Sequence, residues 1–130
     1  MINKIVHFSD LHLRLFKDHD IYKQILTDAF NQWKELGPDR IVFTGDLVHS
    51  KNQVTPELIE MVVWILTECS KICKTIVIPG NHDALINNLN RLDTLSPIKG
   101  STVTAISHVG LAAGLLANKF VCNNMISLRY

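Results

Sequence analysis

The chain has 130 residues, 47% of them hydrophobic, with 13 Lys and Arg against 12 Asp and Glu and a formal net charge of +1. That is enough chain for one packed core but not for two, and too little charge to pull it toward nucleic acid or membrane, so any DNA contact would need a local patch. No apolar run reaches membrane-span length, Asp10 and His12 interrupt any leader-like start, and Cys69, Cys73 and Cys122, at no zinc spacing, read as reduced thiols of an intracellular protein.

Lys4-Ile5-Val6-His7-Phe8 predicts a buried strand that runs into Ser9-Asp10-Leu11-His12. Asp10 and His12 are two apart, so in extended chain both point the same way. That spacing suits two ligands on one metal, and equally a turn cap beside an ordinary surface histidine. Residues 18–36 predict an amphipathic helix. Tyr22, Leu26, Ala29, Trp33 and Leu36 keep helical spacing, and Ile25 and Phe30 widen the stripe. Asp18 or Asp20 is placed to cap its start, and Gly37-Pro38 ends it. The stripe is core, so Phe30 and Trp33 are given no functional role. Strand 40–44 follows, and strand, helix, strand predicts a right-handed parallel crossover.

That second strand runs into Gly45-Asp46-Leu47-Val48-His49, and then a polar loop, Lys51-Asn52-Gln53. Thr55 caps a second helix, with Pro56 at its first position and Glu57 near the positive end of its dipole. Leu58, Val62, Ile65, Leu66 and Cys69 form the stripe, broadened by Ile59 and Val63, which makes Cys69 a small core residue. Strand 75–78 then ends in Gly80-Asn81-His82-Asp83. Gly80 permits a sharp turn or close approach. Asn81 offers a neutral oxygen ligand, His82 a titratable imidazole, and Asp83 a carboxylate able to orient a histidine. Any one of these turns is explained by turn chemistry alone. Three strands that each deliver Asp, His or Asn at the same end are better explained by a divalent-metal site, because open α/β sheets bind ligands beyond the carboxyl ends of their strands.

Asp10-Leu11-His12, Gly45-Asp46-Leu47-Val48-His49 and Gly80-Asn81-His82-Asp83 together resemble the calcineurin-like metallophosphoesterase superfamily. His49, three residues after Asp46, and Asn90-Arg91-Leu92-Asp93-Thr94-Leu95-Ser96-Pro97 resemble the SbcD/Mre-type nuclease subunit of double-strand-break repair, a group that includes phage and viral recombination endonuclease subunits. The resemblance spans residues 1–99. It implies an α/β fold, the N-terminal half of a calcineurin-like sandwich with three parallel strands and crossover helices. It implies that Asp10 and His12 bind one metal ion, Asp46 bridges two, and Asn81 binds the second. His82 would protonate the leaving group or stabilise developing charge, Asp83 would orient His82, and His49 would engage the DNA phosphate. Mn²⁺ is the ion implied, DNA the substrate, and an SbcC/Rad-type ATPase subunit and a second copy of the chain the partners. The setting implied is cytoplasm or nucleus, virus- or phage-encoded, with no membrane.

The chain also departs from that pattern. The family completes its metal site with further histidines ending in Gly-His-x-His, a motif this sequence lacks. After Ile98 it has only His108, read as an ordinary histidine rather than a ligand. The family's second half-sheet is expected to be missing, and residues 100–130 are read as a divergent or truncated tail joined at Gly100. In it Ser101–Ile106 predicts a strand, and Leu111–Ala117 a short helix weakened by Gly114. Three readings therefore stand: a metal-dependent phosphodiesterase or DNA nuclease subunit, a non-catalytic fragment that keeps the fold, and a module that docks on an ATPase partner or DNA.

Overall fold

The computed structural model describes residues 1–50, 53–80 and 82–83, together with the backbone of two short strands farther along the chain. The elements run β1 (Ile5–Phe8), α1 (His19–Leu36), β2 (Arg40–Thr44), α2 (Pro56–Ile72), β3 (Thr75–Ile78), β4 (Val103–Ala105) and β5 (Met125–Ser127). The three expected parallel strands are present, with Val6 opposite Ile41 and Val42 opposite Ile76. The sheet is wider than three, however. Its order is β4-β3-β2-β1-β5, all neighbours parallel, so residues from beyond Gly100 supply both edges. The strand expected over Ser101–Ile106 is β4. The helix expected at Leu111–Ala117 lies outside the described residues, as do Asn81, the stretch Asn90–Pro97, His108 and Cys122.

Strand alternation decides which side chains form the core. Val6, Phe8, Ile41, Phe43, Thr75 and Val77 are buried, while their neighbours on the opposite face are half-buried. Against the buried face α1 presents Leu26, Ala29, Phe30 and Trp33, and α2 presents Leu58, Met61, Val62, Ile65, Leu66 and Cys69. Aromatic rings fill the join. Phe8 lies 5.1 Å from Trp33 and 4.7 Å from Phe43, and Phe30 lies 5.4 Å from Trp33 and 5.6 Å from Trp64, centroid to centroid. These are spacings at which aromatic pairs contribute beyond their buried area. Phe30 and Trp33 are core, as their spacing predicts. Ile25 and Val63 are not: at 42% and 40% exposure they face outward, one position off the packed arc.

The helix ends follow local chemistry with one exception. Thr55 Oγ1 accepts the Leu58 N–H at 3.3 Å with Pro56 in the first turn, and Gly37 closes α1 at φ 58° by donating its N–H to Trp33 O. Asp18 occupies the N-cap of α1 in a left-handed conformation and makes no side-chain cap bond, so it does not cap as expected. Asp39 anchors the start of β1, its Oδ2 accepting the N–H groups of Asn3 and Lys4 at 2.7 and 2.8 Å. These bonds hold its carboxyl below the usual range. No helix among the described residues is long and apolar enough to cross a membrane.

Cys69 is sealed in the core, and burial pushes its thiol far above the ordinary range, with Cys73 and Glu68 adding to the shift. Because the thiolate is the reactive form, alkylation of Cys69 in the native protein should be slow and limited by opening of α2. Peptide mapping after iodoacetamide treatment checks this. Labelling of Cys69 at the rate seen in denaturant would contradict its placement.

Candidate metal centre

Each of the first three strands ends in a turn, and main-chain hydrogen bonds zip the first two of those turns together. Asp10 N–H donates to Gly45 O at 3.0 Å, His12 to Asp46 O at 2.9 Å and Leu13 to Leu47 O at 2.9 Å, and His49 N–H returns to Leu13 O at 2.9 Å. The backbone bends hard to achieve this. Asp10, His12 and Asp46 adopt φ of 59°, 48° and 58°, left-handed values uncommon outside glycine and found disproportionately at functional sites. In that bend the simple rule that residues two apart share a face no longer applies. Asp10 and His12 are brought together by the turn rather than by extended chain.

The resulting cluster joins two carboxylates and an imidazole. One oxygen from Asp10, one from Asp46 and one nitrogen of His12 lie within 4.8 Å of one another. His12 Nε2 is 3.9 Å from Asp10 Oδ1 and 3.9 Å from Asp46 Oδ2. That is too long for a hydrogen bond, yet within the span that one first-row divalent ion bridges at roughly 2.0–2.2 Å per bond. His12 Nδ1 is buried with no hydrogen-bond partner among the described residues. Two carboxylates drawn together beside an imidazole that makes no hydrogen bond to either are a donor set that suits a hard or borderline divalent cation. These three residues fit one such ion. Asn81, the expected ligand of a second, lies outside the described residues.

Glycines make the close approach possible. Gly45 has φ 96°, and a Cβ there would sit 2.8 Å from Gly80 Cα. A Cβ on Gly80 would overlap Asp46 Oδ1 and lie 2.8 Å from its Cγ. Gly80→Ala should therefore swing the Asp46 carboxylate out of place. We expect Mn²⁺ affinity to fall at least ~10-fold, as for lost support of a metal ligand, with helix content retained. Isothermal titration beside circular dichroism reads both, and undiminished affinity would show that the contact is not limiting.

Three histidine rings gather at the same end. His82 stands edge-on to His12 with centroids 4.8 Å apart, and lies nearly parallel to His49 at 5.9 Å, while His12 and His49 are 5.8 Å apart. His82 Nδ1 is 2.7 Å from His49 O, and a carbonyl only accepts, so Nδ1 carries the proton, and Nε2 has no hydrogen-bond partner among the described residues. His82 N–H donates to Asp46 Oδ1 at 2.9 Å. His7, by contrast, faces Thr44 Oγ1 at 2.6 Å, and burial lowers its pKa despite the nearby Asp10 charge.

Asp83 takes a different place from the one expected for it. Its side chain does not orient the His82 ring; the His49 carbonyl does. At 1% exposure Asp83 accepts N–H groups from Gly80 at 2.9 Å and Leu47 at 3.2 Å on Oδ2, and from Val48 at 3.0 Å on Oδ1. A carboxylate at position 83 accepts three backbone N–H groups on its two oxygens, and so ties the second and third turns together. Burial raises its pKa, the three N–H bonds oppose that, and the Asp46 charge adds to it. Sequence reasoning missed both the Asp83 clamp and the His49 carbonyl. The only trace either left was an acidic residue at the end of the third turn.

The calcineurin-like phosphoesterase family profile matches residues 3–126, extending past Gly100 to include β4 and the first two residues of β5. The chain is also 38% identical over 104 residues, 78% of its length, to an uncharacterized protein of Acanthamoeba polyphaga mimivirus. It spans about 8% of that relative's length. With the motif turns, the metal-binding geometry and a family match over nearly the whole chain in agreement, the chain belongs to the calcineurin-like phosphoesterase family.

Proposed function

We propose that this chain carries the metal-binding part of a phosphodiesterase of the DNA repair or recombination type, similar to the SbcD/Mre nuclease subunits and working with Mn²⁺. The observation that carries this reading is the convergence of Asp10, His12 and Asp46 at adjacent strand ends with His49 and His82 beside them. Those three residues would hold a divalent ion, with Asn81 as a further donor. When bound, the ion supplies Lewis-acid polarisation of a phosphoryl oxygen and activation of water.

The protein's own groups supply the rest. With Nδ1–H committed to the His49 carbonyl, a protonated His82 presents its Nε2–H to the departing oxygen and later takes a proton back there. The His49 side chain is exposed beside it and suits contact with a non-bridging phosphate oxygen. Asp10, with its side chain 65% exposed, leaves one side of the cluster open to substrate. A virus-encoded setting is supported by the mimivirus relative. An SbcC/Rad-type ATPase subunit and a second copy of this chain are the partners proposed.

The test is hydrolysis of bis-p-nitrophenyl phosphate, then of single-stranded DNA, with Mn²⁺ and with EDTA, comparing wild type with Asp46→Asn. Turnover that needs Mn²⁺ and disappears in the variant is expected; turnover equal in EDTA or in Asp46→Asn sinks the reading. One observation favours a second reading: the described donors are one imidazole and two carboxylates, fewer than two ions require. No turnover in either protein would support that alternative, a non-catalytic module that keeps the fold and docks on an ATPase or DNA.

A further inference from the structure

A groove of about 550 Å³ opens directly beside the metal-binding cluster, lined by Leu13, Arg14, Phe16, Lys17, His49 and Gln53 among others. Its backbone is pinned. Leu13 bridges to Val48, His19 Nε2 contacts Arg14 O at 2.6 Å, and Tyr22 donates its hydroxyl to Leu11 O at 2.9 Å. Leu13 itself is fully buried. On this fixed frame Phe16 nonetheless stands 70% exposed, the most exposed aromatic ring among the described residues, with Arg14 and Lys17 exposed on either side of it. His49 is shared: it walls the groove and stacks on His82 at the cluster.

A nearly neutral chain that acts on a polyanion needs a local cationic patch, and this groove has one next to the cluster. An open aromatic face between two cations matches an unpaired base between two phosphates. Paired bases have their faces covered by their neighbours, so a duplex would leave Phe16 unused. We propose that the groove seats the single-stranded segment adjoining the scissile phosphate, with Phe16 stacking on a base and Arg14 and Lys17 holding the flanking phosphates. This rests on the phosphodiesterase reading of the neighbouring cluster. It gives the chain a preference for unpaired ends with little dependence on base identity, since every base has a stacking face. The pattern Arg14-x-Phe16-Lys17 was visible in the sequence, but only its exposure on a pinned loop separates it from core.

The test is fluorescence anisotropy of a labelled short oligothymidylate in EDTA, so that no turnover enters the reading. Phe16→Ala should weaken binding about tenfold, within the range that loss of one base–aromatic stack produces, and Phe16→Tyr should restore it. An abasic oligonucleotide should bind wild type as weakly as oligothymidylate binds Phe16→Ala. Replacing Arg14 and Lys17 together by Ala should reduce the slope of log K against log salt by about 1.4, two contacts at roughly 0.7 each for single strands. Because Phe16 is exposed, thermal melting of the variant should match wild type, which separates lost stacking from lost fold. Equal affinity of Phe16→Ala and wild type, equal affinity for abasic and base-bearing strands, or no binding at low salt would each overturn the assignment. Turnover that persists in EDTA or in Asp46→Asn would overturn the phosphodiesterase reading independently, since the binding measurement involves no metal.

Discussion

Replacing Asp46 by Asn is expected to lower Mn²⁺-dependent phosphodiester hydrolysis by more than ~100-fold, beyond the 10–100-fold typical of losing an outer partner of a metal ligand. Asp46 is the residue on which the three turns converge. Its carbonyl accepts from His12 N–H, its Oδ1 accepts from His82 N–H, and its Oδ2 faces His12 Nε2 at 3.9 Å. Asn is close in size and keeps one side-chain oxygen, so the bond to His82 N–H survives and the turns stay in place. What is lost is the negative charge between His12 and Asp10, the component that attracts a cation. The variant should therefore melt close to wild type while losing metal affinity and turnover together. A variant that binds Mn²⁺ normally but does not turn over would shift Asp46 from ligand to some other role. Unchanged turnover would remove the metal-centre reading altogether.

Asp83→Ala should be the most destabilising single change at this end of the sheet. It strands the N–H groups of Gly80, Leu47 and Val48, two of them on residues with no solvent exposure. At ~1 kcal/mol or more for each of the two buried donors left without an acceptor, the loss should reach at least ~2 kcal/mol, a large fraction of a small domain's stability. Asp83→Asn keeps one acceptor oxygen but turns an amide toward a donor, so it should fall between wild type and Ala. Urea denaturation measures the series. A loss within ~1 kcal/mol for the alanine variant, the ordinary range for unremarkable substitutions, would mean that water replaces the carboxylate without cost. Hydrolysis should fall in both variants, because the turns carrying Asp46 and His82 are no longer held against each other.

Much of this protein was legible from its chain alone because it depends on near neighbours. The β-branched runs at 5–8, 40–44 and 75–78 become strands, Thr55-Pro56 starts α2, Gly37 ends α1, and the Leu26–Trp33 arc packs inward. Periodicity and capping act within a few residues, so they can be read without knowing what lies opposite. The three turn motifs were legible too, because their residue types carry the chemistry wherever they are placed. What only tertiary structure decided depends on pairs far apart in the chain. Asp83 reaches across 35 and 36 residues to Val48 and Leu47, and His82 across 33 to the His49 carbonyl. Nothing local distinguishes a carboxylate that orients an imidazole from one that clamps two turns, since both are an Asp beside a His. Likewise strands β4 and β5 lie at opposite edges of one sheet although both come from beyond Gly100, a pairing set by which edges the central strands leave open. Phe16 follows the same logic. Its sequence neighbourhood permits burial or exposure, and it is the fixing of Leu13 under β2's turn that leaves the ring in solvent beside the metal-binding cluster.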